Sequence, residues 1–445
     1  MLALLDQDTT LEDRFLAAFK RCEGWSLNGS NDRLRRLHEE ALGHFTALGF
    51  PARKAEAWKY TPIGKVLRRD YAVLRGSADA GIRPHDIAPL RIPDLDAPVA
   101  VLVNGSFSET LSDLNGLPDG VIVTGLAHAA HAHADLVNAH LGRYADYKNE
   151  VFTALNTAFT HDGVFVYVPP HTVVEKPVQV IHIVTASEDT FVQPRHLVIA
   201  EEKARLRLLH TESIRTTASV LVNAVTELLV GAHAQVDRYE IQNDPASVSR
   251  VNTVQVYQHT GSICRNSTFT FGGEIIRNNI QALPDAEQCE THLYGLFLGR
   301  ASMHVDNHTV VDHARPNCFS NELYKGVLDD RSTGVFNGRV LVRRDAQRTN
   351  AYQSNKSIVL SDTARMYSKP ELEIYADDVK CSHGATTGQL DRDALFYLRA
   401  RGLTEQQARA LLLVAFARDV LENIAIEPLR THLDTLVSAR FRNEV

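Results

Sequence analysis

A cysteine and a histidine lie two positions apart within the stretch DDVKCSHGATTGQLD, at residues 377–391. Cys381 and His383 have the side-chain types that best hold iron in clusters, or zinc. In a strand, residues two apart share one face, so a thiolate and an imidazole would approach the same point. The segment therefore predicts a metal or cluster ligand pair, with Lys380 placed to lower the pKa of the thiol if the site is exposed.

The same segment also fits a purely structural interpretation. Val379 has the phase of Cys381 and His383, so all three side chains would point inward if this is the last turn of a β core. Cys381 would then be a buried cysteine, and His383 would be a histidine held by hydrogen bonds. The pattern alone leaves both interpretations open.

A second candidate metal site lies in the run MHVDNHTVVDH, at residues 303–313. Strand alternation would place His304, Asp306 and His308 on one face, with His313 nearby, and that spacing suits a divalent metal. Alternating polar residues on a solvated sheet face explain the run equally well. A structural metal-binding module is therefore one of the alternative hypotheses.

The sequence lacks the motifs of several kinds of site. It contains no GxxxxGK[ST] phosphate-binding loop, no GxSxG nucleophile elbow and no HExxH zinc helix, so we expect no nucleotide bound by this chain itself. The cysteines are odd in number and widely spaced, which argues against a disulfide framework and a self-contained zinc or ferredoxin site. Ligands from another chain would have to complete a cluster here. The five cysteines are Cys22, Cys264, Cys289, Cys318 and Cys381.

Charge and hydropathy exclude further classes. The net charge is −7, and a basic surface, the main source of nucleic-acid affinity, is not expected. The start MLALLDQDTTLEDRF lacks the basic region of a signal peptide, and no apolar run approaches the roughly 20 residues of a membrane span. These features predict a cytoplasmic protein.

Three regions must position the candidate residues. Residues 1–160 read as an N-terminal helical and mixed region, with helices at 11–25, 32–50 and 135–159 and short strands at 97–103 and 120–123. In the second helix, apolar residues recur every three or four positions and Gly49 follows as a cap. Residues 161–390 are β-rich, with alternation such as Phe269 and Phe271 between threonines. The apolar residues of the second helix are Leu34, Leu37, Leu42, Phe45 and Leu48.

The long β region must close on itself or coil, because an open sheet of that size leaves exposed edges. A sandwich, a barrel and a parallel β-helix are the candidates. Hairpin signals are sparse, with Asn337-Gly338 as one example, which favours stacked coils although no strict repeat is visible.

Helices return in residues 391–445. Asp391 can cap the first and Gly402 can end it, and Thr404 with Gln407 forms a capping box for the next. An apolar face on that helix is predicted either to pack onto the β core or to dock a partner protein. Its members are Ala408, Leu411, Leu412, Ala415, Phe416 and Ile424.

Three segments together resemble the SufB/SufD family of iron–sulfur cluster assembly scaffolds. They are RKAEAWKYTPIGKVL, the long run from LYGLFLGR to SIVLSD, and KPELEIYADDVKCSHGATTGQLDRDALFYLRARGL. The chain is most similar to the SufD branch, through AWKYTP and DDVKCSHG. The SufB branch has HEATT where this chain reads HGATT from His383, and the glutamate and core cysteine tied to cluster building in that branch are not matched.

The resemblance implies a mainly β fold, with a right-handed parallel β-helix between helical ends. It implies a non-catalytic scaffold that pairs with SufB through the β-helices and docks the SufC ATPase through the C-terminal helices. A transient iron–sulfur cluster would be shared with SufB near Cys381 and His383, with His383 the better candidate, and some members suggest a reduced flavin in the complex. A homodimeric accessory protein and a β-helix polysaccharide-active enzyme are the alternative hypotheses.

Overall fold

The computed structural model describes residues 32–52, 54–73 and 81–442, together with Asp13 and Ala17. Apart from those two helical residues, the helix predicted at 11–25 lies outside the described residues, as does Cys22. The described chain is mainly β, a solenoid of about 8 turns with helices at both ends. This architecture confirms the predicted fold class, and stacked coils replace the sandwich and barrel alternatives.

Successive strands of the solenoid alternate between two sheets, and within each sheet they pair in parallel. Each coil gives one strand to each sheet, so register partners such as Phe319 and Asn350 lie one coil apart. The 11-stranded sheet runs β20-β18-β16-β14-β12-β10-β8-β5-β4, with β1 and β7 beside it, and the 10-stranded sheet runs β21-β19-β17-β15-β13-β11-β9-β6-β2-β3. The strands are β1 (Ala72–Val73), β2 (Val99–Val103), β3 (Ser106–Asp113), β4 (Ile122–Gly125), β5 (Val164–Val168), β6 (Val178–Val184), β7 (Thr190–Val192), β8 (Arg195–Ala200), β9 (Arg205–Ile214), β10 (Val220–Val230), β11 (Gln235–Asn243), β12 (Val248–Gln258), β13 (Ile263–Gly272), β14 (Ile275–Pro284), β15 (Glu290–Gly299), β16 (His304–His313), β17 (Phe319–Leu328), β18 (Thr333–Val342), β19 (Thr349–Val359), β20 (Arg365–Ile374) and β21 (Val379–Gly388).

One corner of the solenoid repeats in conformation and not in sequence. At this corner of each coil, a residue with positive φ is followed by a small residue. The small residue is either the first residue of the next strand or the residue just before that strand. Asn337-Gly338, the predicted hairpin signal, instead lies inside β18. Because different residue types fill equivalent corners, the repeat is invisible to a search for identical residues. The corner pairs are Lys203-Ala204, His233-Ala234, Gly261-Ser262, Gln288-Cys289, Asn317-Cys318 and Arg348-Thr349.

The N-terminal helices pack on the first coils of the solenoid. Leu34 and Phe45 are fully buried as predicted, whereas Leu48 is 42% exposed, and Gly49 has the positive φ of a C-terminal cap. The single helix predicted at 135–159 is two helices, because Glu227 of β10 accepts hydrogen bonds from backbone amides between them. The helices are α1 (Asp32–Leu48), α2 (Gly64–Leu67), α3 (Leu126–Ala132), α4 (Ala134–His140), α5 (Val151–Ala158), α6 (Arg392–Ala400), α7 (Glu405–Leu421) and α8 (Glu427–Arg442), with short 3-10 turns at Glu56–Trp58, Pro84–Asp86 and Ala88–Leu90.

The C-terminal helices cover the outer face of the 10-stranded sheet. Asp391 caps α6 and Thr404 with Gln407 caps α7, as predicted. Two members of the predicted apolar face on α7, Leu411 and Ala415, are exposed, so packing onto the sheet does not account for the whole face, and partner docking through these residues stays a prediction. The buried stripe packs against Phe269, Leu296 and neighbouring residues of the sheet. It consists of Ala408, Leu413, Ala417, Val420 and Leu421.

Among the described residues, the helices are all too short or too polar to cross a bilayer.

Candidate functional site

Cys381 and His383 lie on β21, the strand at the end of the 10-stranded sheet. Cys381 is half-buried and packs with Val379 against a small apolar cluster, whereas His383 is exposed. The expectation that all three side chains are sheltered inside the chain is therefore wrong for His383, because the solenoid ends at this coil. The apolar cluster consists of Val340, Val342, Ala346, Ala351 and Ala376.

Burial decides the protonation of the thiol. It raises the pKa of Cys381, and a backbone hydrogen bond from Ala351 acts in the opposite direction without reversing that effect. The predicted lowering of this pKa by Lys380 is wrong, since strand alternation places Lys380 on the other face, exposed to solvent. A metal that binds Cys381 must displace a proton from it.

A column of polar side chains runs through the solenoid interior toward the end strand. The register places His383 opposite Gln353, and Gln353 opposite Glu322. Gln353 Nε2 donates to Glu322 Oε1 at 3.1 Å, and Thr309 donates to the other carboxyl oxygen. Burial raises the pKa of Glu322 to about 7, against these two hydrogen bonds. Sequence reasoning missed this column because its members come from different coils.

The second predicted site is an internal polar network. Asp306 is buried, and its Oδ2 accepts hydrogen bonds from Arg277 Nη1 at 2.8 Å and from Thr61. Its Oδ1 lies 3.0 Å from His308 Nε2, and His304 Nε2 lies 3.0 Å from the Thr61 hydroxyl. Although burial opposes ionisation, Arg277 and His308 lower the pKa of Asp306.

Through these contacts the Asp306 carboxylate is ion-paired with Arg277. The hydrogen bond from Thr61 also holds the N-terminal segment to the solenoid. Across the part of the chain that the structure describes, no group of three or more His, Cys, Asp or Glu side chains is arranged to hold a metal ion. The divalent-metal site at His304, Asp306 and His308 stays a prediction, and Arg277 and Thr61 already hold the Asp306 carboxylate that it would use. Cys381 and His383 stay predicted ligands, and a site with more than these two would need groups from another chain.

The C-terminal helices form an apolar groove with a volume of about 670 Å³. Leu411 of α7 lies in it and is 48% exposed, and at one edge Arg418 Nε donates to Asp434 Oδ1 at 3.2 Å. On the preceding helix α6, Phe396 is 73% exposed and Tyr397 58% exposed. Exposed apolar side chains beside a groove are typical of a protein-binding surface. The apolar lining is Leu403, Ala410, Leu411, Val414, Ala415 and Phe441.

The described chain belongs to the class of β-solenoids with helical ends, and its last strand carries a cysteine and a histidine. Comparison with family models identifies it. The model described as the SUF system FeS cluster assembly SufBD core domain matches residues 182–416, and that of the SufBD protein N-terminal region matches residues 9–180. The chain belongs to the SufBD family of iron–sulfur cluster assembly proteins.

Individual relatives agree with this assignment. The chain is 33% identical to an iron–sulfur cluster assembly SufBD family protein of Synechocystis, over 96% of this chain and 95% of that protein. It is 27% identical to the iron–sulfur cluster assembly protein SufD of Escherichia coli, over 90% and 92% of the two chains. It is also 27% identical to SufD of Bacillus subtilis, over 76% of each chain.

Proposed function

We propose that this chain is a scaffold subunit, without catalytic activity of its own, of a cytoplasmic iron–sulfur cluster assembly complex. It pairs with a SufB subunit through the end of the solenoid and docks a SufC ATPase through its C-terminal helices. Cys381 and His383 assist the cluster that is built at the subunit interface. The observation that carries this proposal is the end strand β21, which presents both residues at the edge of a sheet.

The last coil has the properties of a surface that pairs with another β chain. β20 and β21 end the two sheets, and end strands offer backbone donors and acceptors to a further strand. Tyr375 is 62% exposed, and Ile374 and Tyr352 are each 40% exposed on or beside this coil. A partner solenoid stacked on this end would bury these side chains together with β21.

Two protein ligands are too few for an iron–sulfur cluster, which is held by four in most proteins. His383 is exposed, so its imidazole is open to iron without rearrangement, while Cys381 must first lose a proton. His383 is accordingly the first contact in our proposal, and a cysteine of the SufB subunit completes the site. The cluster is the product of the assembly and leaves it, and a flavin in the complex stays a prediction.

The groove between α7 and α8 suits the ATPase, because it is apolar and because the preceding helix α6 exposes two aromatic residues. A mechanical connection to the solenoid supports this role. Lys325 of β17 donates to the backbone oxygen of Phe416 on α7 at 2.9 Å and forms an ion pair with Asp419. Movement of the docked helices would therefore pull on β17, two coils before the end strand β21, and in our proposal this strain reaches the interface and opens it to iron and sulfide.

Co-expression with SufB and SufC tests the proposal. The complex is purified, its mass is measured by light scattering, and its iron and acid-labile sulfide are quantified. We expect His383→Ala to leave the mass unchanged and to lower both contents strongly. Ser382→Ala is the matched control, because Ser382 is the exposed neighbour on the opposite face of β21.

Unchanged iron and sulfide in the His383→Ala complex would remove His383 from the proposal. The chain purified alone distinguishes the homodimer hypothesis, because the same end coil can stack on a second copy. If the chain alone forms a dimer that acquires iron and sulfide as fully as the three-protein complex does, the SufB pairing is not required for function.

A further inference from the structure

Cys289 and Cys318 occupy equivalent corners of two consecutive coils. The residues that follow them, Glu290 and Phe319, are register partners, and Phe319 N donates to Cys289 O at 2.9 Å. Adjacent strands lie about 4.8 Å apart. A disulfide spans Cα separations of about 4.4–6.8 Å. The register and the strand spacing therefore place the two cysteines within the range of Cα separations that a disulfide spans.

The two thiols also converge on one acceptor. Cys289 Sγ and Cys318 Sγ each lie 3.2 Å from the backbone oxygen of Ala286. His313 is fully buried near the same corner, where its Nε2 lies 2.9 Å from the Ser320 hydroxyl and its Nδ1 has no hydrogen-bond partner within the described part of the chain.

The pair shares its protons unequally. Contact with the Cys289 thiol lowers the pKa of Cys318 to about 5 despite burial, and His313 acts in the same direction. The contact with Cys318, together with burial, raises the pKa of Cys289. One thiolate beside one thiol is the arrangement that lets the first sulfur react with an oxidant and the second resolve the product.

We propose that Cys289 and Cys318 form a redox-active dithiol that closes to a disulfide when a peroxide reaches this corner of the solenoid. The Cys318 thiolate attacks one oxygen of hydrogen peroxide, an S–O bond forms and the O–O bond breaks. The departing hydroxide takes from solvent the proton that the Cys318 thiol released on ionisation, and leaves as water. Cys289 then attacks the Cys318 sulfur, the S–S bond forms as the S–O bond breaks, and the Cys289 proton leaves with the hydroxide as a second water.

The position of the two cysteines determines which oxidant can reach them and what the disulfide would connect. Both cysteines are buried beneath short surface turns that carry exposed residues such as Glu287 and Arg315, so a small peroxide can reach them when a turn opens, while a protein disulfide cannot. Once formed, the bond joins two coils that are otherwise held by backbone hydrogen bonds. This response is independent of the cluster assembly role proposed above.

Mass spectrometry of the full-length protein tests the proposal. Hydrogen peroxide is raised until half of Cys381 is modified, remaining thiols are alkylated under denaturing conditions, and peptides are mapped without reduction. We expect a peptide that links Cys289 to Cys318, and its loss after treatment with dithiothreitol. Cys264→Ser is the matched control, because Cys264 is buried in another coil, and the link should form in it as in the unaltered protein.

Two single variants test the direction of attack. In Cys289→Ser, dimedone should trap a sulfenic acid on Cys318, whereas in Cys318→Ser the labelling of Cys289 should be weak. Absence of the linked peptide at this peroxide dose would overturn the proposal, and equal dimedone labelling in both variants would overturn the assignment of Cys318 as the attacking sulfur. Replacement by Ala serves where a Ser variant does not fold.

Discussion

Gln353 Nε2 donates a hydrogen bond to Glu322 Oε1 at 3.1 Å, inside the solenoid and one coil before His383. The other partner of the carboxyl group is the uncharged Thr309. The carboxyl group is buried and neither of these two partners is charged. Burial therefore raises the pKa of Glu322 to about 7. The carboxyl group of the folded chain therefore changes its protonation near neutral pH, in contact with the side chain that faces the end coil.

The raised pKa predicts a loss of stability with rising pH. The unfolded chain releases this proton near pH 4.5 and the folded chain near pH 7, so the folded state binds more protons between these values. The free energy of unfolding should fall by roughly 3 kcal/mol across that window, at about 1.4 kcal/mol per pH unit. Glu322→Gln should remove this contribution, and urea unfolding at pH 5 and pH 8 measures it.

Other groups titrate in both proteins, so the difference between them isolates Glu322. The variant should be close to the unaltered chain at pH 5 and more stable at pH 8. A constant difference at the two pH values would show that Glu322 is ionised throughout, and would place its pKa in the ordinary range.

A buried histidine produces the opposite dependence. His196 Nδ1 accepts a hydrogen bond from Val164 N at 3.1 Å, and burial lowers the pKa of His196 to about 3. Below pH 6.5 the unfolded chain binds a proton at this histidine and the folded chain does not. The contribution of His196 to the free energy of unfolding is therefore fully present above pH 6.5 and is lost as the pH falls. The loss by pH 5 should be roughly 2 kcal/mol.

His196→Asn tests this contribution, because its side-chain oxygen can accept the same hydrogen bond without titrating. Urea unfolding at pH 7.5 and pH 5 should show a smaller acid-induced loss in the variant. The exposed His171 provides the control, and His171→Asn should lose as much stability as the unaltered chain. An equal loss in all three proteins would assign the acid sensitivity to other residues.

A fully buried ion pair holds the N-terminal region to the solenoid. Glu227 receives hydrogen bonds from Arg195 and from the backbone amides of Gly142 and Tyr144, the latter two at 2.7 Å. Glu227→Gln removes the charge that balances the buried guanidinium, and such changes cost about 3–5 kcal/mol. We expect a lower free energy of unfolding and faster proteolysis between α4 and α5.

The exposed pair Glu202–Lys203 provides the comparison. Its Nζ–Oε1 distance is 3.0 Å, but both side chains are about half exposed, so water and salt screen the attraction. Glu202→Gln should leave stability and proteolysis nearly unchanged. If the two variants behaved alike, the burial of Arg195 and Glu227 would have no energetic consequence, contrary to expectation.

The alternation of apolar residues was sufficient to predict the β region, whereas its coiling was inferred from the cost of open sheet edges and the scarcity of hairpin signals. Phe269 and Phe271 are buried on β13 as the pattern indicated, because a strand that faces a core needs a period of two. The repeat itself stayed hidden, since Gly261-Ser262 and Asn317-Cys318 form equivalent corners with different residues. Conformation, and not residue identity, is what recurs from coil to coil.

The candidate site was predictable in its residues and not in its surroundings. Strand alternation placed Cys381 and His383 on one face, but their burial depends on whether another coil follows, which a local pattern does not contain. For the same reason Asp306 looked like a metal ligand, while its partner Arg277 comes from the preceding coil of the same sheet. Likewise, the exposure of Leu411 follows from how α7 packs on the sheet, and helical periodicity alone did not decide whether its apolar face packs on the sheet or docks a partner.

The exposed groove of α7 gives the most direct test of partner docking. Leu411→Asp places a charge where an apolar surface would be buried on binding, and loss of such a contact costs about 2 kcal/mol, which is roughly a 30-fold increase in Kd. Binding of the SufC ATPase is measured by calorimetry. Tyr375→Asp, at the opposite functional surface, is the reciprocal control and should weaken assembly with SufB while leaving ATPase binding intact. If Leu411→Asp binds the ATPase as tightly as the unaltered chain, this groove is not the docking surface.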